Sequence, residues 1–128
     1  MYNMLIYKPK RTWAQITSEG HVKIGLTDYA AKHLEGLARI HIEPVGEIRK
    51  DERFGVAETW MVVFGLYSPV SGKIVKVNDK LLRDPKLVIK DPYCEGWIIE
   101  IEPKNSSTMN KETEDMMSPS EYDEWKET

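Results

Sequence analysis

A chain of 128 residues is long enough for one domain with its own core and too short for two ordinary ones. Hydrophobic residues at 41% and charged residues at 30% exclude wholesale disorder, and a formal net charge of -3 with scattered Lys and Arg excludes the basic footprint that holds phosphate backbones. No nucleic-acid partner is expected. No segment reaches the ~20 consecutive apolar residues of a membrane-spanning helix. The opening run is broken by Asn3 and followed, not preceded, by the charges of Lys8 and Lys10, so it does not read as a signal peptide. A cytoplasmic protein without a membrane partner is the expectation, and the lone Cys94 fits a reducing compartment.

From Thr12 to Leu26 two runs of strand formers flank Ser18-Glu19-Gly20, with Val22, Ile24 and Leu26 alternating against polar or small neighbours, which predicts a hairpin with one buried face. Thr27 is placed to cap a short helix over residues 28–35, with Asp28 in its first turn and Gly36 where a left-handed residue ends it. Strand character returns at residues 37–43, where Ala38, Ile40 and Ile42 are expected on one face and Arg39, His41 and Glu43 on the other; Pro44 and Gly46 then turn the chain. Phe54 to Tyr67 is the longest apolar stretch, rich in β-branched and aromatic residues and free of proline, and reads as two strands meeting at a turn.

Two further strands are predicted, in KIVKVND at Lys73 to Asp79 and in GWIIEIEP at Gly96 to Pro103, where Trp97, Ile99 and Ile101 alternate with Ile98, Glu100 and Glu102. The stretches Val45-Gly46-Glu47-Ile48 and Val70-Ser71-Gly72-Lys73-Ile74 echo one another faintly. The segment from Pro103 to Met117 is polar and reads as a linker or a marginal helix. Ser118, Pro119 and Glu121 spell a capping box that opens a terminal helix, with Tyr122 and Trp125 on its docking face. These elements describe a mainly β domain, a barrel or sandwich with small helical additions. The organisation expected is an N-terminal segment at 1–11, the β domain at 12–103, and a polar connector with a C-terminal helix at 104–128.

Three motifs carry a resemblance. The stretch TWAQITSEGHVKIGLTDYA, with Ile24-Gly25-Leu26-Thr27-Asp28-Tyr29-Ala30 at its end, resembles the opening of glycine cleavage system H proteins; LYSPVSGKIVKVND and DPYCEGWIIEIEP are similar to two later stretches of that family, and SPSEYDEW to its last helix. The likeness covers roughly residues 12 to 126. It implies a flattened barrel-sandwich hybrid of two antiparallel sheets, the fold of lipoyl and biotinyl domains. It also implies a lipoyl group on a lysine at a hairpin tip, carrying an aminomethyl group between the enzymes of glycine decarboxylation.

Counting back without a gap from Tyr67-Ser68-Pro69-Val70-Ser71-Gly72 places Glu58, Thr59, Trp60, Met61 and Val62 on the family's Glu-Ser-Val-Lys-Ala type sequence. The resemblance therefore implies that Met61 stands where the lipoyl lysine belongs. A thioether cannot be acylated as a primary amine can, so no lipoyl cofactor is predicted at this position. The resemblance gives Glu58 the role of an acid that helps lipoylating enzymes recognise the hairpin, whereas Gly65 replaces an acid that often follows the lysine by four. Lys50 and Lys73 are the nearest lysines in sequence, and neither falls on the predicted tip.

The expected function is that of an H-like, non-catalytic protein without its lysine, binding a protein partner of the glycine cleavage or another lipoate-linked system through Glu58, Trp60 and Met61. The alternative is a genuine lipoyl carrier modified elsewhere, with Lys73 the first choice. The spacing of His21, His33 and His41 predicts no metal site, and no nucleophile, phosphate loop or dinucleotide pattern points to an enzyme.

Overall fold

The hairpin expected from Thr12 to Leu26 forms in the computed structural model, which describes residues 4–43 and 46–126. Strands β2 (Thr12–Ile16) and β3 (Val22–Leu26) pair antiparallel, and β1 (Met4–Tyr7) joins β2 on the outside. The first eleven residues, read from sequence as a plain N-terminal segment, thus supply an edge strand. The remaining strands are β4 (Leu37–Ile42), β5 (Glu47–Ile48), β6 (Arg53–Thr59), β7 (Val63–Tyr67), β8 (Gly72–Val77) and β9 (Ile99–Glu102). They form a six-stranded sheet in the order β1-β2-β3-β9-β8-β5 and a three-stranded sheet in the order β4-β6-β7. The architecture is mainly β, two antiparallel sheets that flatten together without closing into a barrel.

Between the sheets lies a core in which alternating strand residues such as Val22 and Ile24 meet Phe54, Val70, Ile98, Ile99 and Ile101, all at 0% exposure. Two sequence expectations are corrected by it. In β4 the inward residues are Leu37 and Ile40 while Ala38 is exposed, because a bulge between Leu37 and Arg39 breaks the strict alternation. At the start of β9 four consecutive residues are buried, Ile98 just before the strand and Ile99 to Ile101 within it, Glu100 among them at 2%. β9 is an inner strand, paired with β3 on one side and β8 on the other; its buried carboxylate needs a partner, and His21 Nδ1 lies 2.8 Å from Glu100 Oε2.

A second cluster packs outside the first around Trp13, Ile6 and Tyr122. Trp13 is fully buried and its Nε1–H donates to the Pro92 carbonyl at 2.9 Å. Gly25 sits directly opposite it in the ladder, and a Cβ there would meet the indole at 2.5 Å. Thr27 caps α1 (Asp28–Ala31) by accepting from the Ala30 N–H, and its hydroxyl also meets the Tyr122 hydroxyl at 2.9 Å. The helix is one turn long, shorter than 28–35, and the chain turns from Lys32 to Gly36, whose φ of +76° is the left-handed conformation foreseen there.

Short helices α2 (Lys80–Arg83) and α3 (Leu87–Lys90) cover the core with Leu81 and Val88. The polar connector forms α4 (Ser106–Glu112), capped by Asn105 and anchored by Met109. The capping box opens α5 (Pro119–Lys126): Ser118 N–H donates to Glu121 Oε1 at 2.8 Å and Glu121 N–H to Ser118 Oγ at 3.2 Å. Met117 exchanges backbone hydrogen bonds with Ile6, which ties the start of this helix to β1. The two echoing stretches meet as β5 and β8, with Glu47 opposite Lys73; Pro44 and Val45 lie outside the described residues. Tyr7, 5% exposed, donates its hydroxyl to Asp51 at 2.6 Å, and burial followed by that bond pushes its phenol well above the ordinary range.

Candidate functional site

The β6–β7 hairpin turns between Thr59 and Val62, and one hydroxyl organises the turn. Thr59 Oγ1 accepts from the N–H groups of Met61 at 3.2 Å and Val62 at 3.0 Å, while the Thr59 N–H donates to the Val62 carbonyl at 2.9 Å. The Met61 and Val62 N–H groups are thereby satisfied from within the turn. Its side chains are left to solvent: Trp60 is 75% exposed, Met61 72% and Val63 60%, with Val62 and Phe64 also exposed. Five consecutive large apolar residues in water are a contact surface in search of a cover, since a protein's scattered exposed hydrophobics do not ordinarily run together.

The tip is nevertheless positioned. The Trp60 N–H donates to the Gly36 carbonyl at 3.1 Å, and the Trp60 indole occupies the space a Cβ on Gly36 would fill. Gly36 thus serves two ends, the left-handed turn after α1 and the seat of the indole. Glu58, one step below the turn, stands opposite Arg39 in the β4–β6 ladder, and the Arg39 Nε–H donates to its carboxylate. The structure therefore gathers Glu58, Trp60 and Met61 on one hairpin, with the carboxylate engaged and the two apolar side chains displayed.

Neither lysine near in sequence reaches this tip. Lys50 is held on the other side of the fold, its Nζ 3.0 Å from Asp115 Oδ1, donating to the Glu112 carbonyl and lying over the Tyr7 ring. Lys73 belongs to the six-stranded sheet, between Glu47 of β5 and Glu102 of β9. The hairpin offers no amine from Arg53 to Tyr67 besides the guanidinium of Arg53, which is paired with Glu43 at 2.7 Å. An indole and a thioether bury apolar area and adapt to a partner's shape; they accept no acyl group.

Spacing did not anticipate two groupings. Strand pairing brings Glu100 to His21, and with Glu19 the three offer ligand-type atoms within 4.8 Å of one another, His21 and Glu100 being in direct contact. Phe64 also lines a cleft of about 450 Å³ whose walls come from residues 8–11, the α1 region, β7 and Trp125. No sequence window contains four such separated segments, so periodicity could not reveal it.

The geometry agrees with comparisons to known proteins. The family model for the glycine cleavage H-protein matches residues 5–128. The chain is 37% identical over 123 residues to the glycine cleavage system H protein of Halalkalibacterium halodurans, covering 95% of this chain and 92% of that one. It is 37% identical over 119 residues to the probable glycine cleavage system H protein of Pyrococcus furiosus, covering 92% and 88%. A crystal structure of a glycine cleavage system H protein from Mycobacterium marinum superposes with a TM-score of 0.81 at 26% identity, covering 98% of both chains. Fold, motif order and full-length similarity converge, and the chain belongs to the glycine cleavage H-protein family.

Proposed function

We propose that this chain is an H-type protein without a lipoyl tether, a non-catalytic member of the family that acts by docking its Trp60–Met61 tip on a protein partner of the glycine cleavage or another lipoate-linked system. The observation that supports the reading most is the pairing of an ordered turn with an apolar tip. Thr59 and Gly36 hold the loop in one shape, yet what it presents is Trp60 and Met61. A covalent arm needs an acylatable amine at its root, and on the alignment of the hairpin that root is Met61. A docking surface needs aromatic and adaptable apolar side chains held ready, which is what the tip supplies.

The test is capture of the glycine decarboxylase, the aminomethyl-transfer enzyme and a lipoate ligase by the purified chain, alongside a variant carrying Trp60→Ala and Met61→Ala. Binding to one of the three that falls by about tenfold or more in the variant is the expected result. Equal binding by both forms, or binding to none, removes the tip from the account.

A further inference from the structure

Glu100 is the single charged side chain that the described residues bury, with 3% of it exposed. A carboxylate taken out of water calls for a cation. Lys23 and Lys76 stand opposite it in its two ladders, yet among the described residues neither forms an ion pair with it, and the Lys23 ammonium lies over the Trp97 ring at 4.9 Å. What reaches the carboxylate is His21, whose Nδ1 meets Oε2 at 2.8 Å. Among the described residues no donor reaches Oε1.

The turn between β2 and β3 brings the imidazole there and adds a second acid. Thr17 Oγ1 accepts from the N–H groups of Glu19 at 3.3 Å and His21 at 3.1 Å, and the Thr17 N–H donates to the His21 carbonyl at 2.8 Å. The Glu19 carboxylate is exposed and has no partner among the described residues, and the ligand-type atoms of Glu19, His21 and Glu100 lie within 4.8 Å of one another. One imidazole nitrogen and two carboxylate oxygens are a donor set that zinc accepts. Tetrahedral ligands at ~2.0–2.2 Å from zinc lie roughly 3.3–3.6 Å apart, so side-chain shifts of about 1 Å close the three on an ion. A cleft of about 370 Å³, lined by Glu19, His21, Glu102 and Asn105 among others, opens beside them and leaves room for water at a fourth position. His21 and Glu100 are 79 positions apart in the chain, which is why spacing did not show the set.

We propose that Glu19, His21 and Glu100 form a binding site for a divalent cation of the zinc type, which pins the β2–β3 turn to β9. The ion brings the buried carboxylate the positive charge that Lys23 and Lys76 do not bring to it. The imidazole binds in its neutral form, and Glu19, free to move in solvent, closes over the ion. A nitrogen ligand favours zinc over magnesium, which takes oxygen ligands and gives up its water reluctantly. The site belongs to the six-stranded sheet and the docking tip to the three-stranded one, so its failure leaves the reading of the tip untouched.

The experiment titrates the untagged, chelator-treated protein with zinc chloride and with magnesium chloride by calorimetry, and follows thermal unfolding at each zinc concentration. One zinc per chain is expected to bind saturably and to raise the thermal midpoint as its concentration rises, with magnesium weaker by about tenfold or more. Glu19→Gln and His21→Gln are each expected to lose about tenfold or more in zinc affinity. His33→Gln and Cys94→Ser, at the other zinc-type side chains, are expected to keep the parent's affinity. No saturable zinc binding, magnesium binding as tightly as zinc, parent-like affinity in Glu19→Gln or His21→Gln, or a tenfold loss in His33→Gln or Cys94→Ser each overturns the proposal. Glu19 is exposed, so its variant decides the matter even if His21→Gln does not fold.

Discussion

Two hairpins of this fold each carry a tryptophan, and they use it in opposite ways. In β2–β3, Trp13 is buried to 0%, its N–H is satisfied by the Pro92 carbonyl, and Gly25 across the ladder leaves room for its ring. In β6–β7, Trp60 is 75% exposed, resting on Gly36 with most of its indole in water. Glycine makes room for both rings. What separates them is the second side of the indole, which the fold covers for Trp13 and leaves open for Trp60. The first hairpin specifies the fold, and the second spends apolar surface that the fold does not need.

If that contrast holds, substitutions in the two hairpins separate stability from binding. Trp13→Ala is expected to cost about 3–5 kcal/mol, read by chemical denaturation, since it removes a buried aromatic and leaves a cavity and an unpaired carbonyl. Gly25→Ala, which pushes a methyl group into the same indole, is expected to cost about 1–3 kcal/mol. Trp60→Ala with Met61→Ala is expected to lose partner binding by about tenfold or more while changing stability by only about 0.5–1 kcal/mol, because the tip is largely solvated. A tip variant as damaging to folding as Trp13→Ala would erase the distinction.

A smaller effect is expected outside both hairpins, at Tyr7. Its phenol is buried against Asp51, so Tyr7→Phe is expected to cost about 1 kcal/mol at neutral pH. The folded chain holds the phenolic proton more tightly than the unfolded chain does. That contribution is therefore complete below about pH 10 and is lost as pH rises above it. The parent should lose stability relative to Tyr7→Phe in alkaline denaturation series, and parallel curves would show that Tyr7 is not the group responsible. Smallest in stability, within about 0.5 kcal/mol, is Met61→Lys, at a position already 72% exposed. It is expected to acquire one lipoyl group from a lipoylating enzyme; a variant that stays unmodified beside a modified relative would show that the hairpin has lost more than an amine, with Arg39 holding Glu58 the first suspect.

Much of this was legible because the information is local. Ile24-Gly25-Leu26-Thr27 reads as strand, close approach, strand and cap in one window, and Ser118, Pro119 and Glu121 announce the last helix before any packing is known. The long apolar stretch resolved into two strands and a tip because β-branched and aromatic residues together dominate it. What escaped depends on neighbours in space. A bulge in β4 moved Ala38 to the surface without any mark in the sequence. Glu100 looked solvent-facing by alternation and is buried, with His21 against its carboxylate. The single-turn helices α2 and α3 lie far below the length at which a helix stands by itself, so packing, not propensity, decides them. The exposed tip was foreseen at Trp60 and Met61, yet not the seat on Gly36 that holds it.

The covalent state of the natural chain separates a docking protein from a carrier. Intact-mass measurement of the protein isolated from its own cells, followed by peptide mapping of every lysine and with a lipoylated relative run in parallel, asks this directly. The result predicted is the mass of the bare polypeptide, with Lys50 and Lys73 unmodified. A lipoyl amide in stoichiometric amount on any lysine would contradict it and make the chain a carrier after all.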